Sequence, residues 1–165
     1  MIAASELRET PLFRGLSEEQ LGAVAAVLRP ARVVAGKDIV VEGERGTSLF
    51  VLLRGTVETT KHLGVIGVQG EVPRQKVLVR LSAPQFFGEI GLLEEVPRSA
   101  SVRAATACDL LELRRDEFDR LVDGDIRLGY VLIRNIASVV IGRLRETDRD
   151  VLKLTAALSI ALGNR

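Results

Sequence analysis

Histidine and cysteine are almost missing from the chain: His62 and Cys108 are the only ones in 165 residues. A zinc-type metal centre needs several such ligands, so metal-dependent barrel enzymes are a poor match and His62 reads as an exposed residue at a strand end. A single cysteine excludes an internal disulfide and fits a reducing compartment. Cys108, between Ala107 and Asp109, reads as a small buried side chain. No nucleophile, base and orienting group stand together, so no catalytic function is expected. Excess charge is missing too: 23 basic against 22 acidic residues give a net +1, without the global basic field of nucleic-acid binders. No apolar run approaches the ~18 residues a membrane span needs. Met1 to Glu6 lacks a basic stretch followed by an apolar one, so no secretory signal is read there and the expected location is cytoplasmic. The length suits one domain with an appendage.

What is present changes character along the chain. An opening helix broken at Pro11 leads to Ser17-Glu18-Glu19-Gln20, which has capping-box spacing ahead of an apolar face of Leu21, Val24, Ala25 and Leu28; Pro30 is expected to end that second helix. From Arg32 to about Arg114, short β-rich runs alternate with glycines, the pattern of a barrel or jelly roll rather than a parallel sheet. The strand candidates are Val33-Val34, Ile39 to Val41, Leu49 to Leu53, Val57 to Thr60, Val77 to Val79 and Leu110 to Leu113, with Gly64 to Arg74 as a long hairpin connection. The expected fold is α+β: an antiparallel β-barrel (jelly roll) flanked by N-terminal helices and a long C-terminal helix, divided as 1–122 for the barrel with its lead-in and 123–165 for the helix.

The most informative stretch runs from Phe86 to Val102. Gly88 lets the backbone approach a ligand closely, and Glu89 to Glu95 is compatible with a short helix whose first turn leaves N–H groups without intrahelical partners. Pro97 stops that helix and sets an extended entry for Arg98-Ser99-Ala100, a guanidinium, a hydroxyl and further backbone donors suited to a phosphate. A carboxylate at Glu89 would repel that anion unless it faces a neutral donor such as a ribose hydroxyl. A nucleotide with one internal anionic phosphate and a free 2′-OH meets all of these conditions.

Phe87-Gly88-Glu89-Ile90-Gly91-Leu92, a variable turn, and Pro97-Arg98-Ser99-Ala100-Ser101-Val102 resemble the phosphate-binding cassette of the cyclic nucleotide-binding domain family, of which the catabolite activator protein and the regulatory subunits of cyclic AMP-dependent kinase are types. The resemblance covers most of residues 12–122. It implies that Gly88 and Glu89 hold the ribose 2′-OH, and that Arg98, Ser99 and the Ala100 N–H hold the phosphate. Phe87 and Ile90 complete the ligand-binding set. The implied ligand is cyclic AMP, with cyclic GMP as the second choice, and no cofactor is implied. The competing reading is a degenerate, nucleotide-free dimerisation or protein-interaction module in which Arg98 and Glu89 form a structural ion pair.

Beyond Asp116 to Val122, a short amphipathic helix, and the turn Asp123-Gly124-Asp125, an unbroken four-three spacing runs from Ile126 through Tyr130, Ile133, Ala137, Val140, Leu144, Thr147, Val151, Leu154 and Leu158 to Ala161. Such a seam predicts a parallel two-stranded coiled coil and a homodimer through residues 126–161; the alternative is a helix folded back or broken at Gly142. Within it, Arg143-Leu144-Arg145-Glu146-Thr147-Asp148 is similar to the segment that reaches the purine across the dimer in the catabolite activator type, with aspartate where serine stands there. That implies Arg143, Thr147 and Asp148 as further ligand contacts; a solvated charged face is the alternative. A hydroxyl or carboxylate oxygen accepts from the adenine N6 amino group and opposes guanine O6, although a hydroxyl at the Ser99 position serves guanine in some relatives. The expected protein is a cyclic nucleotide receptor of signal transduction. Ligand binding repacks Phe87, Leu92 and Leu93 and moves the C-terminal helix, and the output is an unidentified protein partner. No DNA or membrane contact is expected, and the chain leaves no room for a helix-turn-helix after the long helix.

Overall fold

The computed structural model describes residues 4–63 and 74–163. Two short N-terminal pieces, α1 (Ala4–Arg8) and a 3₁₀ turn (Pro11–Phe13), precede α2 (Glu18–Val27). The capping box forms: Ser17 Oγ accepts from the Gln20 N–H, and Gln20 Oε1 accepts from the Ser17 N–H. Helix α2 stops at Val27, before the proline expected to end it. Pro30 instead lies within β1 (Arg29–Val33), opposite Leu111. Its missing N–H is tolerated because β1 is the edge of its sheet.

The remaining strands are β2 (Asp38–Val40), β3 (Ser48–Arg54), β4 (Thr56–Leu63), β5 (Arg74–Ser82), β6 (Gln85–Phe87), β7 (Ser101–Ala104) and β8 (Cys108–Arg114). They form two antiparallel four-stranded sheets, ordered β1-β8-β3-β6 and β2-β7-β4-β5. With the flanking helices this is the expected α+β jelly-roll architecture. Apolar residues alternate inward along β8, where Leu111 and Leu113 are buried in one core cluster and Cys108 and Leu110 in another. Cys108 is buried, as its sequence context implies. The hairpin connection expected from Gly64 lies outside the described residues up to Arg74, where β5 begins, and so do the surroundings of the His62 side chain.

Two strands went unread in the sequence, β6 and β7, and they fix the candidate cassette. β6 pairs with β3 in one sheet and β7 pairs with β2 and β4 in the other, so the segment between them crosses from sheet to sheet. It carries α3 (Glu89–Leu93). After β8 come α4 (Arg115–Gly124) and α5 (Ile126–Gly163), 38 residues without a break at Gly142, about 57 Å long at 1.5 Å per residue. Asp125 opens α5 by accepting from the Arg127 and Leu128 N–H groups, and also accepts from Gln20 Nε2 at 2.8 Å; the Gln20 bond is the main reason its carboxyl sits below the usual range. Asn135, buried, donates to the carbonyls of Leu12 and Arg14, each at 2.8 Å. These bonds and the buried Leu128, Leu132 and Ile136 hold the first half of α5 on the body.

Candidate functional site

Gly88 sits at φ 82° as the N-cap of α3, a left-handed conformation suited to glycine. A side chain there would also meet the Ser48 carbonyl oxygen at 3.0 Å. The turn places Glu89 in the first turn of α3, with its side chain mostly buried.

Arg98 is threaded through a gap between backbone segments. A Cβ on Gly46 would collide with its Nε, and one on Gly91 would lie 2.6 Å from its Nη1, so these two glycines exist in the site as room for the guanidinium. The backbone around it is stitched to the β2–β3 loop, with the Arg98 N–H donating to Glu44 O and the Gly43 N–H donating to Arg98 O, both at 2.9 Å. The side chain donates from Nη1 to Gly88 O at 3.3 Å. Burial lowers the Arg98 pKa from the arginine value, and Glu112 opposes that shift through space. A partly desolvated guanidinium of this kind is suited to an incoming anion. Glu112 faces Arg98 across a second cavity of about 380 Å³, where Ser48 Oγ donates to it.

Glu89 is not paired with Arg98. Its Oε1 accepts from Arg143 Nη1 of α5 at 3.1 Å. Arg143 Nη2 also donates to Phe86 O at 2.5 Å, and the guanidinium lies 5.4 Å from the Phe86 ring centroid. The long helix is thereby tied to the cassette.

Between the cassette, β5 and α5 lies a cavity of about 640 Å³. Phe87, Gly88, Glu89, Ile90, Arg98, Ser99, Ala100, Arg143 and Thr147 all line it; Asp148 does not. The helical period explains the exception, since residues 143, 147, 150 and 154 share a face that residue 148 leaves by about 100°. Glu146 and Asp150 are the acids that α5 adds to the lining, and Val77 and Val79 supply an apolar wall from β5. The apolar run Val77-Leu78-Val79 signals a strand, but nothing in one sequence tells which cavity its residues line. Thr147 Oγ1 donates to Arg143 O at 3.1 Å. Its one proton is thus engaged, and its oxygen is left as an acceptor.

Residues 30–125 match the cyclic nucleotide-binding domain family. The chain is 30% identical over 146 residues to the cyclic AMP receptor protein of Thermus thermophilus, covering 88% of this chain and 62% of that one. It is 36% identical over 121 residues to cGMP-dependent protein kinase isozyme 1 of Drosophila melanogaster, covering 73% and 15%. The chain therefore spans less than two thirds of either relative's length. Among solved structures it resembles the Thermus thermophilus catabolite activator protein, with TM-score 0.71, 29% identity, and coverage of 88% and 63%. It also resembles the regulatory domain of Toxoplasma gondii PKA solved with cAMP, with TM-score 0.60, 30% identity, and coverage of 72% and 42%.

Proposed function

The chain belongs to the cyclic nucleotide-binding domain family, and from that premise we propose that it is a receptor for cyclic AMP that changes the position of α5 when ligand binds. The observation that carries the reading is the half-buried Arg98 in a gap made by Gly46 and Gly91, with no carboxylate bonded to it among the described residues, on the wall of a cavity that also holds Glu89 and Ser99. Arg98, Ser99 and the Ala100 N–H take the cyclic phosphate, while Gly88 and Glu89 take the ribose 2′-OH. Phe87 and Ile90 complete the cassette wall, and Arg143 holds Glu89 in place from α5.

The purine lies between the valines of β5 and α5. The Thr147 oxygen, its own proton engaged, accepts from the adenine N6 amino group, where guanine would present O6 and oppose oxygen to oxygen. Asp148 does not line the cavity of its own protomer, and its proposed contact is with the nucleotide of the partner, across the dimer; Asp150 is the aspartate on the wall of its own cavity. Ligand binding shifts a population: the state in which phosphate fixes Arg98 and α3 also repacks Leu92 and Leu93 against α4.

The seam Ile126, Tyr130, Ile133, Val140, Leu144, Val151, Leu154 and Leu158 is exposed in the isolated chain, which supports a parallel homodimer through residues 126–161. The output is a protein partner, and the proposed setting is the cytoplasm.

Calorimetric titration with cyclic AMP and then cyclic GMP, with Arg98→Leu as control, tests the receptor reading. Saturable binding of cyclic AMP that is tighter than that of cyclic GMP and lost in the control is expected. Absence of heat and of any thermal shift with both ligands would contradict it and leave a nucleotide-free module.

A further inference from the structure

Arg115 has no place in the ligand cavity, yet it makes the directional bonds between the cassette helix and α4. It is the first residue of α4, and its backbone N–H donates to Thr47 O at 2.8 Å. Its Nε donates to Leu92 O in the last turn of α3 at 2.9 Å, and its Nη1 lies 3.3 Å from Glu95 Oε1 just beyond. The last carbonyls of a helix lack intrahelical partners and carry partial negative charge, so a guanidinium there both satisfies and complements them. Arg115 Nη2 is buried and has no hydrogen-bond partner among the described residues. A buried donor left unmade is costly.

Leu92 and Phe118 also belong to one core cluster, so apolar burial accompanies these bonds. Apolar contact is non-directional and lets surfaces slide, whereas a guanidinium bonded to a helix terminus must follow that terminus. The C-terminal cap of α4 is Asp125, which is also the residue that caps the start of α5. Movement of α3 therefore has a bonded route through Arg115, α4 and Asp125 into α5.

We propose that Arg115 is the positioning residue that couples the ligand cassette to α4 and α5. The inference rests on the cyclic AMP receptor reading. When phosphate draws Arg98 and α3 together, the Leu92 carbonyl shifts and Arg115 moves with it.

The test uses the full chain with spin labels at Lys37→Cys and Ser138→Cys in a Cys108→Ala background, diluted with unlabelled protein. The distance between the labels is measured with and without cyclic AMP, beside the affinity for cyclic AMP. The parent protein should bind and change its distance. Arg115→Met should keep its affinity within about tenfold, the scale of a coupling free energy, and lose most of the distance change. Arg115→Gln, which also removes the cation, should behave the same way and serves if Arg115→Met gives no cooperative melt. Arg115→Lys, which keeps a cation and donor near Leu92 and Glu95, should restore the change. A Met or Gln variant that moves like the parent, or a Lys variant no better than Met, overturns the coupling role. A parent that binds without moving overturns the mechanism together with this inference, and a parent that does not bind overturns the receptor reading itself.

Discussion

The two halves of α5 are continuous in backbone and opposite in surroundings. From Ile126 to Arg143 the helix has two apolar faces: Leu128, Leu132 and Ile136 are buried against the body, while Ile126, Tyr130 and Ile133 are exposed. From Leu144 onward, Leu144, Val151, Leu152, Leu154, Leu158, Ile160 and Leu162 are all exposed in the isolated chain. From Val151 to Leu162 Lys153 is the only charged residue, and a helix apolar on nearly every side is normally covered. The first half is thus positioned by its own protomer and shifts with α4, whereas the second half takes its position from what arrives: a nucleotide on the cavity side and, by our proposal, a second copy along the seam. Arg143 stands at the boundary, the last residue of α5 bonded to the barrel side among the described contacts.

The comparison can be broken most severely in the first half. Leu132 is fully buried, so Leu132→Ala is expected to cost about 2–5 kcal/mol in a denaturant melt. Leu154→Glu in the second half is expected to leave the barrel's unfolding intact and to move the sedimentation profile towards monomer. At the boundary, Arg143→Leu removes charge-assisted bonds to Glu89 and Phe86 and is expected to weaken cyclic AMP binding by about 1.5–3 kcal/mol, read by calorimetry, with little change in melting. Further out, Thr147→Val removes the acceptor oxygen and should reduce the preference for cyclic AMP over cyclic GMP by about tenfold, the worth of one hydrogen bond near 1.4 kcal/mol. The smallest effect separates two aspartates. Asp150→Ala should alter nucleotide affinity in any state of association, whereas Asp148→Ala should do so only in the dimer, its effect vanishing in the Leu154→Glu background of the same titration.

The cassette was legible because its chemistry is local. Gly88, Glu89, Arg98 and Ser99 stand within twelve residues, and each has a reason to be its own residue type. The strands that carry it were not legible: β6 and β7 have three and four residues, too short for a period to emerge, and their apolar residues merge with the cassette's own. Pro30 misled because a proline reads as a helix stop, while its place on an edge strand is decided by β8, far along the chain. Gly46 reads as a turn glycine between strands and Gly91 as part of the cassette pattern, and only the path of Arg98 between them reveals their use. On α5 the heptad was plain, but the cavity-facing side was not. Thr147, Val151 and Leu154 belong both to the seam and to the cavity wall, and Glu146 and Asp150 on the cavity side were missed because their only signal is the helical period they share with Arg143 and Thr147. Asn135 and Arg115 gave no signal, since their partners are backbone carbonyls that only the tertiary fold brings near.

Peptide-resolved amide hydrogen exchange with and without saturating cyclic AMP tests most directly whether one nucleotide is held between cassette and helix. The account predicts slower exchange in both residues 86–102 and residues 143–154, with residues 126–135 unchanged. Protection confined to the cassette would contradict α5 as a wall of the site, and no protection in either segment would contradict the site itself.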